Sequence, residues 1–160
     1  MKKKILKILA GIGYWIVSLT WGALMTIPGL LITGFCILFL HGKPHRNGFS
    51  YIVEIGGNWG GLELGAVALC GRYYGTSYWA EIAPHEFGHS IQQLLFGPLQ
   101  AFIVGIPSAA RYWYRRLTPN KPHKAYDDVW FEYTASKWGT AWVNWIDDTD
   151  IKYTFKRSKR

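Results

Sequence analysis

The chain is poor in cysteine, poor in charge and free of repeats, and each shortage narrows what it can be. Only Cys36 and Cys70 occur in 160 residues, and Cys36 lies within an apolar run, which excludes a disulfide-held scaffold. Charged side chains make up 18% of the residues, and between Ile5 and Leu40 only Lys7 carries a charge. No low-complexity stretch is present, and 49% apolar content with nine Trp and ten Tyr excludes a disordered polymer. There is no glycine-rich loop of the phosphate-cradling kind and no serine or cysteine nucleophile on a recognisable elbow.

What remains is unevenly spread. The mean hydropathy of +0.01 is low for a chain buried wholly in lipid and high for a soluble domain. The imbalance predicts a protein that is half membrane and half water. The first apolar run follows Lys2, Lys3 and Lys4 and is too long for a signal peptide. Leu9 to Ile27 reaches the roughly 20 residues that cross a bilayer, with Trp15 and Trp21 near the interfaces. Pro28 and Gly29 then interrupt the run, so three arrangements fit: one kinked helix, a crossing helix with a re-entrant piece, or a shallow hairpin. Residues 1–41 thus read as a membrane anchor, and the basic residues on both flanks favour two cytoplasmic ends.

A second apolar stretch, within 94–116, is broken by Gly97-Pro98 and Pro107 and ends in Arg111-Tyr112-Trp113-Tyr114-Arg115-Arg116. An interfacial segment and a core helix both fit it. Residues 49–76 read as a β-hairpin: Phe49 to Ile55 is β-branched and aromatic, Gly56 to Gly61 is turn material, and Leu62 to Cys70 alternates by two. That second strand fits either a buried core position or an edge to which an extended peptide adds. Asn58 and Glu63 read as structural, and His41 and His45 as loop residues. The net charge of +8 and the basic tail within 146–160 fit anionic lipid better than nucleic acid, because the same chain holds an apolar anchor and interfacial aromatics.

The chemistry lies in His85-Glu86-Phe87-Gly88-His89, an H-E-x-x-H pattern. On a helix, positions i and i+4 project from one face, so both imidazoles reach a single Zn²⁺. Glu86 then stands beside the open metal position, where it takes a proton from the zinc-bound water. Ser77 is a candidate helix cap, Pro84 an irregularity ahead of the first histidine, and Gly97-Pro98 the stop. A third ligand six residues after His89 is excluded, since Leu95 stands there. Downstream, Glu132 shares a helix face with Ala135, Ser136 and Gly139, in a helix that Asp127 or Asp128 can cap. Those small residues permit close approach to the histidine helix, where Gly88 is the matching small position. An oxyanion-steadying group is also expected, with Tyr126, His123 and Tyr133 as candidates.

His85-Glu86-x-Gly88-His89 with Ser90-Ile91-Gln92 and Glu132-x-x-Ala135 resembles the gluzincin pattern of thermolysin-like zinc peptidases. Asn58 to Gly61, Phe96 to Leu99, Ile106 to Ala109, Arg111 to Arg115 and Tyr126 to Glu132 further resemble a group of small bacterial membrane proteins with a metallopeptidase-like signature. The resemblance spans roughly residues 50–140. It implies zinc ligands at His85, His89 and Glu132, a general base at Glu86, and a place in the bacterial cytoplasmic (inner) membrane. Gluzincins often have Asp four residues after the third-ligand Glu, and here that position is Ser136. The expectation is an α+β protein: a membrane-embedded helical segment, a short β-hairpin, and a zincin-like domain over 42–145 whose helix pair holds the motif and the downstream Glu. Its expected function is that of a membrane-anchored zinc metallopeptidase, cutting peptide bonds by Glu-assisted attack of zinc-bound water. A catalytically silent zincin-like scaffold is the alternative, and the oligomeric state is open.

Overall fold

A computed structural model describes residues 2–147, 153 and 155; most of the basic tail, 146–160, lies outside the described residues. The chain begins with helices α1 (Lys2–Leu19) and α2 (Ala23–Phe39), bent by 97° relative to one another. No single helix among the described residues is long and apolar enough to cross a membrane, so a straight crossing over Leu9 to Ile27 does not form. The break falls at Thr20-Trp21-Gly22 rather than at Pro28-Gly29, and α2 runs on through Pro28. The reason lies in packing. The Gln93 amide donates to the Gly22 carbonyl at 2.7 Å and to Thr26 Oγ1 at 3.0 Å, pinning the elbow. Gly29 lets α2 press against Leu64, whose carbonyl an added Cβ would overlap.

Four strands follow: β1 (Lys43–Asn47), β2 (Ser50–Glu54), β3 (Gly61–Leu64) and β4 (Val67–Cys70). They form one mixed sheet in the order β1-β2-β4-β3, with β2 and β4 parallel and the two outer pairs antiparallel. This corrects the single hairpin expected over 49–76 in two ways. Lys43–Asn47, which has little strand character in sequence, pairs with β2. Leu62 to Cys70 is a hairpin of its own, turning at Gly65 (φ 80°), where a Cβ would meet Thr26. His45 therefore lies in a strand, stacked on Tyr74 with ring centroids 3.9 Å apart.

Helix α3 (Trp79–Phe96) crosses the core, followed by 3-10 and π turns, α4 (Ile106–Leu117) and α5 (Trp130–Asp147). Tyr78 precedes α3 in helical conformation with no side-chain cap, so Ser77 does not serve as one. Gly97 (φ 51°) ends α3 as expected, and the chain beyond Leu99 turns by 117° into α4. The protein is therefore α+β, with five α-helices and a four-stranded mixed sheet among the described residues. Phe87 of α3 lies in a core cluster with Tyr14 of α1, Ala66, and Val143 and Ile146 of α5. Ile52, Ala68 and Cys70 form a second cluster, and Cys36, Val53 and Leu69 a third. Both cysteines are buried and free.

Candidate metal centre

The site is built where α3 and α5 touch. A Cβ added at Gly88 would overlap the Ala135 carbonyl, and one at Gly139 would overlap the Pro84 carbonyl. Glycine at both contacts brings the two backbones together, as the small-residue face of Glu132, Ala135, Ser136 and Gly139 predicts. Asn47 adds a brace from β1, its amide donating to the Ala83 carbonyl at 2.6 Å. Asp127 and Asp128 lie in a 3-10 turn ahead of α5, which Val129 enters in extended conformation.

Glu132 in the first turn of α5 is fully buried and meets both histidines of α3. Its Oε2 lies 3.1 Å from His85 Nε2 and 3.4 Å from His89 Nε2, and the two Nε2 atoms are 3.1 Å apart. The other nitrogen of each ring is already engaged. His89 Nδ1 faces Gln92 Oε1 at 2.8 Å, and the Gln92 amide donates to Phe131 O and Thr134 Oγ1 at 2.7 Å. That fixes Oε1 as the acceptor and Nδ1 as the protonated nitrogen of His89. His85 Nδ1 meets Ser136 Oγ at 2.8 Å. Ser108 at the start of α4 donates its hydroxyl to Glu132 Oε1 at 2.5 Å, leaving Oε2 turned to the imidazoles. Two imidazole Nε2 atoms and a carboxylate oxygen thus converge on one point, an arrangement that calls for positive charge between them. His85, His89 and Glu132 can together hold a metal ion.

The titration behaviour of the protein groups alone reflects the same demand. Burial would lower His89, but Glu132 and then Glu86 hold it up at about 9. Burial pushes His85 below its usual value. Against burial, hydrogen bonds to His85 and His89 keep the Glu132 carboxyl well under the ordinary carboxylate range. Burial pushes Glu86 up to about 8, opposed by His89. Gly61 of β3 is the close neighbour of Glu86, whose carboxylate fills the space a Cβ would need.

No family model, curated protein or solved structure matches this chain. The site therefore stands on its own geometry. His85, His89 and Glu132 come together, and Glu86 lies with the two histidines on the wall of a cavity of about 250 Å³. Of the three oxyanion candidates only Tyr126 lines that cavity, its ring centroid 6.1 Å from that of His85. His123 instead meets the Thr118 carbonyl at 2.8 Å, and Tyr133 packs against Phe155. Glu63, read from sequence as structural, also lines the cavity.

Sequence reasoning missed Gln92 and Ser108 as orienting groups. Gln92 had a usable signal, since position i+3 from His89 shares its helix face. Ser108 had none, because 24 residues and a turn separate it from Glu132. Orienting partners of metal-bound histidines are worth about 10–100-fold in metal affinity. We expect Gln92→Leu to weaken divalent metal binding within that range, measured by competition with a chromophoric chelator, while the fold holds.

Proposed function

We propose that this protein is a gluzincin-type zinc peptidase seated on a membrane. The observation behind the reading is the His85, His89 and Glu132 triangle with Glu86 beside it. In a tetrahedral zinc site with bonds of 2.0–2.1 Å, neighbouring ligand atoms stand about 3.3 Å apart. The observed separations are 3.1, 3.1 and 3.4 Å, and three protein donors leave the fourth position for chemistry.

When bound, zinc supplies Lewis acidity and an acidified water. The rest falls to this chain. Ser108, Ser136 and Gln92 hold the three ligands in register through their hydrogen bonds. Glu86, buried and drawn toward a neutral-range pKa, is suited to take a proton from water and pass it to the departing amine. Tyr126 is placed to donate toward a developing oxyanion, its hydroxyl kept protonated by burial. β3 is an end strand of the sheet among the described residues and runs beside Glu86, where an extended peptide can add as a further strand.

The membrane reading rests on exposure. Leu24, Leu31, Phe35, Leu38 and Phe39 of α2 are each more than half exposed, as are Ile5, Leu6, Leu9 and Ile16 of α1. No charged residue interrupts α2. A surface this apolar, with Lys2 to Lys7 at its start, fits an anionic lipid bilayer, in keeping with a bacterial cytoplasmic membrane. One purification tests both halves. The full chain should sediment with phosphatidylglycerol-containing vesicles and contain one zinc per chain, and His89→Ala should lose the zinc while staying with the vesicles. Protein without stoichiometric zinc would overturn the enzyme, and protein left in the supernatant would overturn the membrane seat.

A further inference from the structure

Two chambers of opposite character meet at the candidate metal site. The first, about 250 Å³, lies between β3 and α4, and its walls include Leu62, Val104, Ala109 and Trp113. Glu63 at its wall is its one charged group beyond the residues of the metal site. The second, about 340 Å³, has Asn58, Tyr78 and Arg116 on its walls. Both share Trp59, Gly61, His85, Glu86, Tyr112 and Tyr126, so one metal ligand, His85, and the base stand at their junction.

The apolar chamber is sized for one large side chain, since a cavity of about 150 Å³ already holds benzene. It also continues outward as apolar surface. Leu62 and Trp113 on its rim are 47% and 55% exposed. Ile106, Ala109, Trp113 and Leu117 follow one another at helical spacing along α4, and Ile106 and Leu117 are 59% and 75% exposed. The polar chamber adjoins the apolar one at His85 and Glu86, and Arg116 gives it a cation. A peptide crossing the metal therefore has an apolar residue on one side of the scissile bond and polar residues on the other.

We infer that the substrate is a peptide cut where an apolar, lipid-held stretch passes into a polar one, the apolar side entering from the bilayer along α4. This rests on the peptidase reading above. The stripe on α4 leads into the first chamber at Ala109 and Trp113. A wholly polar peptide leaves the apolar chamber filled only with water, and a wholly apolar one buries the Arg116 side without a partner.

The test uses the zinc-loaded full chain in vesicles with three quenched-fluorescence peptides of equal length: wholly polar, wholly apolar, and polar joined to apolar. The junction peptide should be cut at least ten times faster, with mass spectrometry placing the cut within two residues of the boundary. Ala109→Trp fills the apolar chamber and should raise KM for the junction peptide at least tenfold with zinc content unchanged. Equal cutting of the polar peptide, or an unchanged KM in Ala109→Trp, would overturn the inference and leave the peptidase standing. Zinc-loaded protein that cuts none of the three would overturn both.

Discussion

Glu86→Gln is expected to keep its zinc and to lose peptide hydrolysis by about 10²–10⁴-fold, the range a positioned general base contributes. The substitution preserves shape. Glu86 is buried against Gly61, and an amide of the same size fits the same space. Glu86 is also absent from the His85, His89 and Glu132 triangle, so metal binding has no reason to fall. What the amide cannot do is accept a proton from water. The measurement is paired: zinc per chain by plasma emission and initial rate on a fluorogenic peptide, each against the parent. Retained hydrolysis would remove Glu86 from the chemistry, and lost zinc would show that it acts on the metal instead.

The second large effect is expected at Gly139, where α5 packs on the backbone of α3. Alanine in place of glycine within a helix ordinarily gains about 1 kcal/mol. Here the added methyl would overlap the Pro84 carbonyl, a backbone atom that cannot rotate away. Overpacking of this kind costs about 1–3 kcal/mol, sometimes more, and α5 must shift outward to relieve it. We expect Gly139→Ala to lose about 1 kcal/mol net, a fall in Tm of roughly 2–4 °C for a chain of this size. Zinc affinity should fall with it, since the same shift draws Glu132 away from His85 and His89. Gly13→Ala is the control. A Cβ there meets nothing within 4 Å, so stability should hold or rise.

That contact was also what the sequence displayed most clearly. His85, His89, Glu132, Gly88 and Gly139 are legible together because helical periodicity converts spacing into shared faces without knowledge of the rest of the chain. Ser136 was legible for the same reason, and its hydroxyl meets His85 Nδ1 where an aspartate was the expected group. The sheet was harder. Lys43-Pro44-His45-Arg46-Asn47 has no alternating apolar pattern, and only its pairing with β2 makes it a strand. The even alternation of Leu62 to Cys70 hid a reversal at Gly65, because period two continues across a tight turn. The elbow at Thr20 to Gly22 escaped because it depends on Gln93, 71 residues from Gly22. Proline announces itself in a sequence, whereas a glutamine that nails down a bend does not.

The Gln93 clasp changes what the first forty residues are. Gln93 lies one turn beyond His89 on α3, and its amide holds the joint of the N-terminal helix pair. Tyr14 from that pair packs directly on Phe87, inside the motif itself. The exposed apolar helices therefore double as scaffolding for the helix that holds the two histidines. Removing the chain up to residue 42 would take Tyr14 from Phe87 and the Gly22 and Thr26 acceptors from Gln93, and so loosen α3. On the proposed reading, attachment and activity cannot be cut apart.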